Sequence, residues 1–157
     1  MKKIWNNLEE IISGIFLIIT VLSVIMNVFF RSIGLGTISA SEEIATMAFV
    51  WCVYIGAVAA FKKKMHIGVD MLIKLLPKKI QKIFNIFIDL FLIILNITIL
   101  YLSVIFITNS YEKPTPVLGI SSNYINIVLL ISFSLFTIYS IIFFIKNIKK
   151  IKEEEGR

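Results

Sequence analysis

Four runs of this chain are long enough, and poor enough in charge, to cross a lipid bilayer. Residues 11–30, IISGIFLIITVLSVIMNVFF, carry no charged side chain. A helix of that length, at about 1.5 Å rise per residue, reaches about 30 Å, the thickness of the hydrocarbon layer. A second run, about 42–61, has no charge beyond Glu43 until Lys62, Lys63 and Lys64 stop it. The third, about 83–108, holds one charge, Asp89, and the fourth, about 123–145, holds none. Inside lipid every backbone N–H and C=O needs a partner within the protein, so such runs fold as helices. The expected fold is therefore all-α, a single membrane domain over 1–157 with four spans.

Composition agrees. Hydrophobic residues make up 58% of the 157 and charged residues 17%, where soluble domains carry about a quarter charged. The net charge of +6 would suit nucleic acid, but its distribution points elsewhere. Fourteen of the 16 basic residues fall in the head (Lys2, Lys3), in the stretch after the second run (Lys62 to Lys82) and in the tail (Lys146 to Arg157). Only Arg31 and Lys113 lie on the other side. Basic residues collect on the cytoplasmic face of membrane proteins, so both termini are expected there. The charge then serves topology and attraction to anionic lipid headgroups, and no nucleic acid is expected. Lys2 and Lys3 before an apolar run suggest a signal peptide. The run is too long for one, Glu9 and Glu10 adjoin it, and no A-x-A-like site follows, so a retained span is expected. The lone Cys52 allows no disulfide within the chain.

The connections differ in character. After Arg31 comes the short turn SIGLGTISA. Ser39 and Glu42 fit a capping box, which predicts that the second helix starts near Ser39 or Ser41. Residues 65–76 are too short and too polar to span. On a helix, His66, Asp70 and Lys74 form one stripe against an apolar remainder, which predicts an amphipathic helix lying on the membrane between spans two and three. Pro77 ends it. Residues 109–122 form the second outer turn, with Pro114 and Pro116 excluding a regular helix.

No catalytic, cofactor or metal constellation emerges. His66 is the one histidine and has no cysteine partner. Glu42 and Glu43 diverge by about 100° on a helix and do not converge on one atom. The informative residues are interface candidates. Arg31 can pair with Glu42 or Glu43, or all three can sit in headgroups; both readings stay open. Asp89 reads as a carboxylate at the cytoplasmic interface, near Lys82 or the flat helix. Trp51 lies mid-span, away from the aromatic belts, and suits helix packing. Gly56, with Ala57, Ala59 and Ala60, offers a small-residue face for close approach. Broken helices and internal repeats, which mark substrate sites in secondary transporters, are not seen.

Taken in order, Arg31, Ser41-Glu42-Glu43-Ile44-Ala45, Trp51, Gly56-Ala57 and His66-Ile67-x-Val69-Asp70 resemble the small membrane subunit of tripartite ATP-independent periplasmic (TRAP) transporters, the DctQ-like or Q subunit. Thr115-Pro116-x-Leu118-x-Ile120 adds to the likeness. The resemblance covers nearly the whole chain and is strongest over 31–70. The family often has an aromatic and a proline early in the last span; here Tyr124 has no proline after it, so a kink there stays open. The resemblance implies a multi-pass subunit of the bacterial inner membrane. Its partners would be a large membrane subunit, which holds the sodium and substrate sites, and a periplasmic substrate-binding protein that delivers an organic acid such as a dicarboxylate or a sialic acid. It also implies that the small subunit braces the static part of an elevator-type transporter. The alternative is a small self-assembling transporter, similar to a drug–proton antiporter. That class wants a carboxylate deep in an early span, and the first span has none.

Overall fold

Four helices carry most of the chain: α1, Leu8–Ser32; α2, Ser39–Lys62; α3, Lys78–Asn109; α4, Asn123–Glu155. They are seen in a computed structural model that describes residues 7–34, 36–63, 77–109 and 114–155, with the backbone alone for residues 78, 79, 82 and 150–155. The flat helix expected over 65–76, with His66 and Asp70, lies outside the described residues. The spans run Leu8–Ser32, Ser39–Lys62, Ile83–Asn109 and Asn123–Lys149. Pro77 opens α3: its carbonyl accepts from the N–H groups of Ile80 (2.9 Å) and Gln81 (3.0 Å).

The helices form two antiparallel hairpins, α1 on α2 and α3 on α4, joined where α2 meets α4. Because α1 and α3 share no packed interface, the helices stand in the order α1, α2, α4, α3. The buried apolar side chains follow from that order. Ala45, Ala48, Ile55, Val58, Ala59 and Phe61 lie on α2 and Val128 on α4, whereas no residue of α1 is buried. Lipid tails are as apolar as leucine, so close shape-matched contact, rather than escape from water, holds such helices together. Small residues on α2 allow it. The α2–α4 joint is aromatic: Phe61 meets Phe136 at 5.1 Å and Phe143 at 5.8 Å between ring centroids, and Tyr54 meets Phe133 at 6.5 Å.

Gly56 belongs to the α1–α2 contact. A methyl group added there would touch the Ser13 Cβ at 3.6 Å and its Oγ at 3.8 Å, which is ordinary van der Waals contact. Gly56→Ala should therefore be tolerated, with a gain in helix propensity of about 0.8–1.0 kcal/mol set against small repacking. Gly56→Leu overfills the contact and should cost about 1–3 kcal/mol. Thermal unfolding in detergent checks both, and equal midpoints for the two variants would place Gly56 outside the packed contact.

The start of α2 agrees with the sequence in place but not in chemistry. The residue before the helix is Ile38, in extended conformation, and no side chain caps the helix from that position. The capping box expected from Ser39 and Glu42 is not formed. The Ile38 N–H donates to the Asn27 Oδ1 at 3.1 Å, and the Ser41 hydroxyl donates across to the Ser23 carbonyl of α1 at 2.7 Å.

Candidate functional site

The polar side chains gather at the two ends of the row. At the end that holds the α1–α2 turn, Gly34 (φ 78°) and Gly36 (φ 86°) take left-handed backbone that lets the chain reverse within a few residues. Asn27, more than a turn inside α1, then serves two partners. Its Nδ2 donates to the Glu42 Oε1 at 2.8 Å while its Oδ1 accepts from Ile38.

Glu43 reaches the other way. Its Oε2 accepts from the Leu118 N–H at 2.7 Å, in the loop between α3 and α4. That loop is tied by its own bonds: Thr115 N–H to the Ile120 carbonyl at 2.7 Å, Gly119 N–H to the Thr115 carbonyl at 3.1 Å, and Ile120 N–H to the Thr115 Oγ1 at 3.1 Å. Gly119 has φ 65°, which favours glycine. Adjacent glutamates thus hold different neighbours, as the 100° step between helix positions requires. Between α2 and this loop lies an open cleft of about 410 Å³ lined by Ser39, Glu42, Glu43, Pro116 and Ser122 among others. The Glu43 Oε1 is buried there, without a hydrogen-bond partner among the described residues.

Arg31 makes no ion pair with Glu42 or Glu43; it is exposed. This corrects the pairing considered from the sequence, and the reason is chemical. The unmet groups at this corner are an acceptor on Glu42 and a donor on Ile38. An asparagine amide satisfies both at once, whereas a guanidinium can only donate.

Trp51 is taken up within the chain. Its ring lies 5.2 Å from that of Phe16 on α1, and its indole N–H donates to the Tyr124 carbonyl at 3.1 Å. Eight helical residues, about 12 Å, separate Glu43 from Trp51. The first turn of α4 therefore begins alongside the middle of α2 rather than at its Glu42–Glu43 end, which is why a mid-span tryptophan finds a polar partner.

At the opposite end one carboxylate ties three helices. Glu9 of α1 accepts from Lys62 Nζ of α2 at 3.0 and 2.9 Å and from the Tyr139 hydroxyl of α4 at 2.6 Å. The Lys62 ammonium also lies 5.5 Å from the Tyr139 ring centroid. Beside it Lys63 pairs with Glu10. On the second hairpin the Asn147 amide donates to Asp89. Asp89 is half-buried, and this asparagine partner was not foreseen from the sequence. Halfway along the hairpin Asn96 donates to the Ser140 hydroxyl at 3.1 Å, both side chains being buried.

Sequence reasoning missed Glu9, Asn27, Tyr139, Asn96, Ser140 and Asn147. The signal available was that an amide within an apolar span is costly unless bonded. The arrangement braces helices. Among the described residues, no group of three or more His, Cys, Asp or Glu comes together to hold a metal ion.

These features define a class, an all-α integral membrane protein whose polar side chains lace its helices end to end. Comparison with known proteins narrows it. Residues 20–150 match the family described as "Tripartite ATP-independent periplasmic transporters, DctQ component". A Haemophilus influenzae protein named as a TRAP transporter small permease is 29% identical over 132 residues, 84% of this chain and 80% of its own length. The C4-dicarboxylate TRAP transporter small permease protein DctQ of Vibrio cholerae is 30% identical over 79 residues, 50% of this chain and 34% of the relative. The sialic acid TRAP transporter permease protein SiaT of Haemophilus influenzae is 34% identical over 90 residues, 57% of this chain but 14% of the relative. The chain belongs to the DctQ component family, the small permease subunits of TRAP transporters, and is a multi-pass inner-membrane protein.

Proposed function

We propose that this subunit braces the large membrane subunit of a sodium-coupled transporter for an organic acid, of the dicarboxylate or sialic acid type, and holds no substrate site of its own. The observation that carries this reading is the row of helices. Its end members, α1 and α3, turn long apolar faces outward, and α1 buries no residue within the chain. On α1, Ile15, Ile18, Leu22, Ile25 and Phe29 recur at three- and four-residue steps and are each more than half exposed. A large subunit covers part of such faces in the complex. At mid-depth the Asn96 amide is taken up by the Ser140 hydroxyl rather than held open for a polar substrate.

The relatives lend support. One is named for sialic acid and another for C4-dicarboxylates. This chain matches a small part of SiaT, whose remaining length is other sequence. A periplasmic binding protein would meet the end holding Glu42, Glu43 and the 114–122 loop. The termini and the basic residues that follow α2 face the cytoplasm.

Two measurements check this arrangement. In a Cys52→Ala background, Ser121→Cys should react with an impermeant thiol reagent from the periplasm and Lys149→Cys from the cytoplasm; reaction from one side would overturn the topology. An affinity tag on this chain should retain the large subunit of its transporter after detergent extraction, and separate elution would overturn the bracing role.

A further inference from the structure

We propose that α3 and α4 are held in a single register by polar rungs spaced one heptad apart, so that the second hairpin resists sliding in the bilayer. Two bonded pairs define the seam, Asp89 with Asn147 and Asn96 with Ser140. Asp89 and Asn96 are seven residues apart on α3, and Asn147 and Ser140 are seven apart on α4, in the opposite sense. Both pairs therefore lie on one antiparallel register. The next heptad position on α3 is Ser103, 3% exposed, whose hydroxyl folds back to the Ile99 carbonyl at 2.7 Å and leaves a small side chain in the seam. Positions repeating every 3.5 residues stay in contact along supercoiled helices.

The apolar contacts alone distinguish registers poorly. From Ile83 to Ile107, 18 of the 25 residues of α3 are isoleucine, leucine or phenylalanine, and a one-turn slide exchanges many such contacts for similar ones. The rungs break that near-degeneracy. A one-turn slide sets Asn96 level with Phe136 in one direction or Phe144 in the other, in place of the buried Ser140 hydroxyl, 1% exposed. A buried polar residue that specifies register is a well-attested role for asparagine in helix pairs. Such a bond inside a membrane adds little stability, so its effect should appear in alignment rather than in melting. The inference is independent of the transport role.

Paired spin labels test it in the full chain in nanodiscs, with Cys52→Ala as background. Thr108→Cys and Lys146→Cys are both exposed and sit at opposite ends of the hairpin, so their separation reads sliding directly. The native chain should give one narrow distance. Asn96→Leu with Ser140→Ala should add a population displaced by about 5 Å, one helical turn. Exchanging the partners, Asn96→Ser with Ser140→Asn, should restore the single distance. An unchanged narrow distance in the double variant, or failure of the exchange to restore it, overturns the proposal. Should the double variant not insert, Asn147→Leu cuts the rung nearer the surface, and the same readout decides.

Discussion

Glu9→Ala is expected to be the most destabilising single change at the helix ends, lowering stability by about 1–3 kcal/mol. The side chains of Lys62 and Glu9 are 22% and 13% exposed. A pair at that depth lies between the exposed case, about 0–1 kcal/mol, and the cost of about 3–5 kcal/mol for orphaning one member of a buried pair. The loss is compounded because the Tyr139 hydroxyl gives up its acceptor as well. Glu10→Ala is the internal control. Its partner Lys63 is 49% exposed and Glu10 itself 38%, so it should cost no more than about 1 kcal/mol. Thermal unfolding in detergent compares the two. Glu9→Gln with Lys62→Met should recover part of the loss, since no unpaired charge remains. Equal costs for Glu9→Ala and Glu10→Ala would show that the three-helix clamp contributes nothing special.

The contrast also shows what the sequence could and could not reveal. The spans were legible because charge is so costly in lipid that its absence over about twenty residues admits few other readings. The capping-box pattern of Ser39 and Glu42 marks the start of α2 in the right place, although the box itself is not formed. A capping box is local, and here the N–H of Ile38 was met from another helix, by Asn27. The Arg31 pairing failed for a related reason. Opposite charges in neighbouring turns suggest an ion pair, yet the corner needed a group that donates and accepts together. In the sequence Glu9 merely adjoins the first span, because its partners, Lys62 and Tyr139, are distant along the chain. The sequence suggests Trp51 as a helix-packing residue without naming its partners; its ring lies against Phe16 and its indole bonds at Tyr124. Gly56 likewise packs on Ser13. Neither assignment was available without knowing that α2 lies between α1 and α4.

That order of helices leads to the largest expected effect of all, complete loss of transport without a partner. Under the proposed function, a row of four helices laced by its own polar side chains offers no converging groups to strip water from a carboxylate substrate. A bound organic acid would need cationic or N–H partners within the membrane. Among the described residues the cations with partners, Lys62 and Lys63, are held by Glu9 and Glu10 at the helix ends.

Uptake into vesicles measures this most directly. Vesicles holding this chain alone should accumulate no radiolabelled dicarboxylate or sialic acid, with or without an inward sodium gradient and the periplasmic binding protein. Vesicles holding this chain with the large subunit should accumulate one of them when both are supplied. Sodium-driven accumulation by this chain alone would contradict the bracing role and identify it as a transporter in its own right.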